Sequence, residues 1–323
     1  MKKILITGIS GQDGLFLTNH LINKYEKLEI IGTSRQNNHS IFYKNLLSLG
    51  LENRGGVSVY QIDLNDYNIV NNLISDFKPH YVYNLTGPSS VYESFNNAEN
   101  KKIITNIFDN LTSALIKSNN FARFFQASSS EMFSPNCNEK LNENSEFLPN
   151  SPYALAKLDN HNKVISLNKK YDWNIYSGIT FNHESEFRKK NYLIMKIITA
   201  AWKIKNNKGS NLTIGSLDYM RDWSHAQDIV VAINLLTEKG ASPDYVIGSG
   251  KGKKIKDILD YVFQKYNLDW TDFVQIDKNL LRDGDSKKII SDPRKIKNEL
   301  NWETKITFEQ MLDRCIGKIE KSY

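Results

Sequence analysis

Tyr153 and Lys157 stand four residues apart in Ser151-Pro152-Tyr153-Ala154-Leu155-Ala156-Lys157. On a helix that is about one turn, so both side chains leave the same face. A fixed ammonium near a phenol favours the phenolate and lowers the tyrosine from its reference value near ~10. The result is a base for an alcohol that loses a proton as it loses a hydride. Upstream, Gln126-Ala127-Ser128-Ser129-Ser130-Glu131 gathers three hydroxyls and a carboxylate. A serine there can hydrogen-bond a reacting hydroxyl and shuttle toward Tyr153. The Glu131 carboxylate can abstract a carbon-bound proton and later return a proton to a leaving hydroxyl, if burial lifts its pKa toward neutrality. Serine followed by an acid is also the signature of a helix N-terminus, and both readings stand at this stage.

These groups need elements to hold them. Ile4-Leu5-Ile6 reads as a short, fully buried strand, followed by a glycine turn and a helical pattern from Leu15 to Tyr25. Further strands are expected at 29–33, 57–63, 81–85, 123–128 and 174–181, with helices at 67–77, 103–118 and 152–170. Strands alternating with helices imply an α/β fold, a doubly wound parallel sheet covered on both faces. The serine-glutamate run then falls at the carboxyl end of the fifth strand, where such sheets gather ligands.

After residue 181 the rhythm changes. Residues 182–191 read as a polar loop and 192–206 as a helix, and short strand-like pieces fill 207–222. Helix 225–238 is expected to return to the first domain. The division is therefore residues 1–181 as a dinucleotide-binding domain, with 182–224 and 239–323 as a smaller substrate-binding cap.

Gly8-Ile9-Ser10-Gly11-Gln12-Asp13-Gly14 follows a strand and opens a helix. Glycines let the backbone approach a pyrophosphate, and the helix N-terminus adds free N–H groups and a positive dipole end. The second strand ends Gly32-Thr33-Ser34-Arg35 with no acid to hold ribose hydroxyls. Arg35 stands where it could meet a 2′-phosphate, so NADP is expected over NAD.

Composition narrows the partners. The chain has 323 residues, 40% hydrophobic and 24% charged, with a net charge of +6. Its basic clusters, such as Arg188-Lys189-Lys190, are scattered and carry no interleaved aromatic stripe, which argues against nucleic acid. They suit an anionic small molecule. Cys137 and Cys315 lack the spacing of a zinc site, so no metal is expected. No stretch approaches a membrane span and the N-terminal apolar run is too short for a signal segment, so the cytoplasm is expected.

With these pieces together the chain resembles the extended short-chain dehydrogenase/reductase superfamily, and within it the GDP-mannose 4,6-dehydratase family. The matching residues are Ile6 to Gly14, Asp63-Leu64-Asn65-Asp66, Tyr83-Asn84-Leu85, Gln126 to Glu131, Ser151 to Leu158, Phe181-Asn182-His183-Glu184-Ser185 and Arg221 to Asp228. The Gln-Asp inside the glycine motif and the Phe-Asn-His-Glu-Ser run are the more specific. The resemblance implies a Rossmann domain with a smaller α/β cap. It further implies an internal redox dehydration of a nucleotide sugar, GDP-mannose first, to the 4-keto-6-deoxy sugar. Another nucleotide sugar such as a GDP-heptose, or epimerase or reductase chemistry on the same scaffold, is the alternative, and a non-catalytic NADP-binding protein is a more distant one.

The resemblance also assigns roles. Glu131 is the acid/base at C5 and C6, Ser129 stands in place of the family's catalytic threonine, Tyr153 is the base at the C4 hydroxyl, and Lys157 holds the ribose and the phenolate. Gly8, Gly11, Gln12, Asp13, Gly14, Arg35, Asp63, Leu64, Leu85, Ser89, His183 and Arg188 would line NADP. Ser90, Ser129, Asn182, Lys196, Arg221 and Arg282 would hold the substrate. A homodimer or homotetramer is implied. The chain departs from the family pattern at Gln36, at Gly87-Pro88-Ser89-Ser90, and at Glu186 and Phe187, where proline and arginine are usual.

Overall fold

The computed structural model describes the chain apart from residues 38, 52–55, 88–98, 136–138 and 282–285 and the side chain of residue 100. Ser89, Ser90, Cys137 and Arg282 therefore lie outside the described residues.

Seven parallel strands form the central sheet, in the order β10-β6-β5-β4-β1-β2-β3. They are β1 (Lys2–Thr7), β2 (Leu28–Ser34), β3 (Val57–Gln61), β4 (Tyr81–Asn84), β5 (Arg123–Ser129), β6 (Ile175–Thr180) and β10 (Asp244–Ile247). Ile4, Leu5, Ile6, Val82, Phe124 and Phe125 are buried because both faces of the sheet are covered. Helix α1 (Gln12–Lys24) and helix α7 (Ala226–Lys239) close one face through Leu15, Leu21, Ile229, Ile233 and Leu236. Helices α3 (Tyr67–Phe77), α4 (Glu99–Lys117) and α5 (Pro152–Tyr171) close the other through Val70, Ile74, Phe108, Leu111 and Val164.

A second core gathers helices α6 (Leu193–Lys205), α8 (Ile255–Lys265) and α10 (Phe308–Glu320), with Ile197, Trp202, Phe263, Leu312 and Cys315 inside. Beside it lies a small sheet of β11 (Gly252–Lys254), β9 (Met220–His225) and β13 (Lys288–Ile289), and β7 (Asn182–Glu184) adds to β9. Strand β12 (Val274–Ile276) pairs with β8 (Leu212–Ile214).

Three local expectations are corrected. Residues 182–184 are a strand rather than the start of a loop, because they pair in register with Trp223, Ser224 and His225. Residues 244–247, placed in the cap by sequence, are the edge strand of the large sheet, paired with Ser177 to Thr180. Helices α2 (His39–Ser48) and α9 (Arg294–Leu300) have no counterpart in the sequence reading. The short buried run of β10 carries no helical or alternating period by which its sheet could be recognised.

Candidate active site

Local chemistry sets the entry to each site element. Ser151 caps α5 by accepting from the Ala154 amide at 3.1 Å, and Pro152 at the first helical position is preorganised for the turn. This fixes where Tyr153 and Lys157 emerge. Gly8 has φ +72°, and a side chain there would crowd the Leu85 carbonyl at 3.1 Å. A Cβ on Gly14 would meet the Ile9 carbonyl at 2.5 Å, so only glycine lets α1 press against the loop. Gly11 is the N-cap of α1 and offers no side-chain cap, which leaves that terminus open to an anion.

A buried polar row crosses the carboxyl ends of the strands. Thr7 donates to Asn84 at 2.7 Å, Asn84 donates to Gln126 at 2.7 Å, and Gln126 donates to the Ala127 carbonyl at 2.9 Å. Lys157 Nζ donates to the same Ala127 carbonyl at 2.7 Å. The glycine-loop strand and the lysine are thus ends of one hydrogen-bonded chain, which explains the polar identities of Asn84 and Gln126.

Ser129 is the hub of the reactive groups. Its hydroxyl lies near enough to the Tyr153 phenol to favour the ionised form. It also accepts from the Glu131 amide at 3.3 Å, capping the 3₁₀ turn Ser130–Met132. The capping and the polar-cluster readings of this run therefore hold together. Glu131 is half-buried, and its charge is felt at the Tyr153 phenol. Carboxylate, hydroxyl and phenol converge.

The ionisation of the tyrosine reverses the sequence expectation. Burial pushes Tyr153 up to about 12, against the nearby Ser129 hydroxyl and Arg188 cation. Lys157 does not offset this, because its ammonium is tied to Ala127 and lies 5.5 Å from the Tyr153 ring centre. Burial also lowers Lys157 itself to about 8, with Asp13 acting the other way.

The two specific motifs lock into each other. His183 Nε2 meets Asp13 at 3.0 Å, and its Nδ1 lies 2.7 Å from the Phe181 carbonyl. Gln12 donates to the His183 carbonyl at 3.2 Å and accepts from Ser185 at 2.7 Å. Burial would raise the Asp13 carboxyl, but the His183 imidazole beside it holds it below the usual range. Burial likewise works to lower His183, and Asp13 overcomes this and raises it. The unusual Glu186 and Phe187 have partners of their own. Glu186 meets buried His225 at 3.0 Å, a bond that keeps its carboxyl low although burial would raise it. Phe187 packs edge-on to Phe16, with ring centres 5.6 Å apart.

Other residues singled out by sequence sit more widely. Exposed Arg35 lies near Asp63, whose carboxylate it helps hold low after the dominant hydrogen bonds from Asn65. The Ser10–Ser34 hydroxyl pair, 3.0 Å apart, lies at the end of the same strand as Arg35. The Leu64 side chain enters the core, and its carbonyl accepts from Asn110 at 2.9 Å. Leu85 lies under Gly8. Asn182 pairs in register with Trp223, two residues from the buried Arg221, whose guanidinium donates to the Met220 carbonyl at 3.0 Å. Lys196 projects from α6 and donates to the Thr213 carbonyl at 2.9 Å. Nothing in the described geometry draws Lys196 to Tyr153.

Two site residues escaped sequence reasoning. Tyr192 acts electrostatically on Tyr153 and lies under the Arg188 guanidinium, 3.7 Å from ring centre to the guanidinium carbon. Buried Glu184 lies 3.4 Å from Arg188 Nε.

The glycine cradle, the open terminus of α1 and a buried Thr86 hydroxyl with no hydrogen-bond partner among the described residues all fit a dinucleotide. No group of three or more metal-ligating side chains occurs among the described residues, and Cys315 is free and buried. Known proteins share this geometry. A UDP-glucose 4-epimerase of Thermotoga maritima has the same fold, with a TM-score of 0.86 at 21% identity over 99% of both chains. A dTDP-glucose 4,6-dehydratase of Bacillus anthracis, solved with NAD, superposes with a TM-score of 0.85 at 21% identity over 99% of this chain and 97% of that one. GDP-mannose 4,6 dehydratase 2 of Arabidopsis thaliana is 32% identical over 98% of this chain and 86% of its own length. Because the profile of that dehydratase family matches residues 5–315, nearly the whole fold and every element of the site, the chain belongs to the GDP-mannose 4,6 dehydratase family.

Proposed function

We propose that the cluster of Ser129, Glu131 and Tyr153 dehydrates GDP-mannose to its 4-keto-6-deoxy derivative. Family membership makes the chain a nucleotide-sugar 4,6-dehydratase, a hydro-lyase. Bound NADP supplies the hydride acceptor for the first step and the donor for the last. Arg35 and the lack of an acid after β2 support NADP over NAD.

The residues divide the proton traffic. Burial favours the neutral Tyr153 phenol, so Tyr153 and Ser129 together relay the C4 hydroxyl proton, in place of a standing phenolate. A C4 ketone acidifies the C5 proton. Glu131 takes that proton and protonates the departing C6 hydroxyl, so one carboxyl serves both halves of the elimination. Lys157 anchors the end of β5 through Ala127 and keeps Tyr153 in register with Ser129. A homodimer or homotetramer is the assembly we assign, and the exposed Leu155 on α5 supports an interface there.

The observation that carries this reading is Ser129, whose hydroxyl accepts from the Glu131 amide at 3.3 Å and acts on the ionisation of the Tyr153 phenol. Glu131→Gln incubated with GDP-mannose is expected to lose dehydration by roughly 10²–10⁴-fold while retaining C4 oxidation, seen as reduced nicotinamide. Loss of one water, read by mass, is the assay. Wild-type dehydration rates in the variant would remove Glu131 from the mechanism, and an epimerised product that retains its water would reassign the reaction.

A further inference from the structure

We propose that Glu184 is a positioning residue. Its buried carboxyl fixes the Arg188 guanidinium beside Tyr153 in the orientation that meets an anionic dinucleotide. The inference rests on the cofactor reading above and concerns a residue to which that reading gives no role.

Glu184 ends β7 and is 4% exposed. Its Oε2 and Arg188 Nε lie 3.4 Å apart, both are buried, and neither has a hydrogen-bond partner among the described residues. Burial pushes the Glu184 carboxyl up to about 7, the Arg188 cation opposes that rise, and the two attract each other by charge where solvent screens little. The Tyr192 ring covers the guanidinium, 3.7 Å from its carbon. A planar cation held along one edge by a carboxylate and on one face by a ring has little rotational freedom.

The neighbouring charges leave this task to Glu184. Asp13 and His183 neutralise each other at 3.0 Å. Cys315 approaches from α10, with its thiol raised by burial. Arg188 is felt at both Asp13, in the glycine loop, and Tyr153, in the reactive cluster. It thus stands between the two halves of the site, on a loop that also bears the exposed Lys189 and Lys190. Without a buried counter-charge the side chain is free to swing out with them.

The test is a double-mutant cycle on NADPH binding, read by nicotinamide fluorescence with the full chain and without substrate. Glu184→Leu is expected to weaken binding about tenfold in the wild-type background and to add nothing in an Arg188→Leu background. Glu184→Gln, which keeps the shape but removes the counter-charge, is expected to weaken binding several-fold in the wild-type background. If Glu184→Leu does not fold, the cycle is run with Glu184→Gln against Arg188→Lys, and non-additive losses are again expected. Equal losses in both backgrounds would show that Glu184 acts on the fold at large and would overturn the proposal. A wild-type chain that binds neither NADPH nor NADH would overturn the cofactor reading itself, whereas wild-type binding with additive losses leaves that reading intact.

Discussion

Burial governs the ionisation of the two groups that α5 presents to the site. The Lys157 ammonium, ordinarily near 10.5, is lowered to about 8, and the Tyr153 phenol, ordinarily near 10.0, is raised to about 12. For Lys157 the unfolded chain binds more protons than the folded one between those values, so stability rises with pH across that window. For Tyr153 the folded chain binds more, so stability falls between 10.0 and about 12. The unfolding free energy from urea titrations is therefore expected to climb from pH 8 to pH 10, by up to about 3 kcal/mol, and the climb is expected to vanish in Lys157→Met. The positions of Tyr153 and Lys157 were legible in the sequence, because Ser151 and Pro152 announce the helix start and four residues make a turn. Their ionisation was not. It depends on the Ala127 carbonyl, Arg188 and Tyr192, brought near by strand and loop placement that no local spacing encodes.

Helix α1 and strand β7 are joined through Asp13, Gln12, His183 and Ser185, although about 170 residues separate them. These contacts seat the loop after β6 against the glycine turn, so a change at either motif reaches the other. Asp13→Asn is expected to cost about 2 kcal/mol, discounted because the Asp13 side chain is 28% exposed. The same change in a His183→Gln background is expected to cost much less, as measured by denaturant unfolding of the four proteins. Both motifs are legible as specific signatures, but no local spacing shows that they bond to each other. The structure shows Gln12 and Asp13 side chains facing His183 and Ser185, so the run-to-run bonding is what ties the two patterns together.

The whole molecule is not two consecutive halves. The strands and their alternation with helices were legible up to β6, but Asp244–Ile247 is too short to declare its sheet. Helix α7 and strand β10 complete the seven-stranded layer from the later part of the chain. Tyr83 donates to Asn234 of α7 at 2.9 Å, and Trp302 donates to the Asp228 carbonyl at 3.2 Å, so the return is stitched into the core. A fragment of residues 1–181 would expose Phe16, Leu17 and Leu21 on one sheet face and the free edge of β6. It is expected to lack a cooperative unfolding transition, as followed by circular dichroism, while a fragment extended through residue 303 is expected to regain part of it. The same feature bears on synthesis. A ribosome delivers the β6 edge and its uncovered apolar face some sixty residues before the segment that seals them. During that interval the nascent chain presents an open template for pairing with its neighbours, so chaperone demand in the cell should fall on this stage of translation.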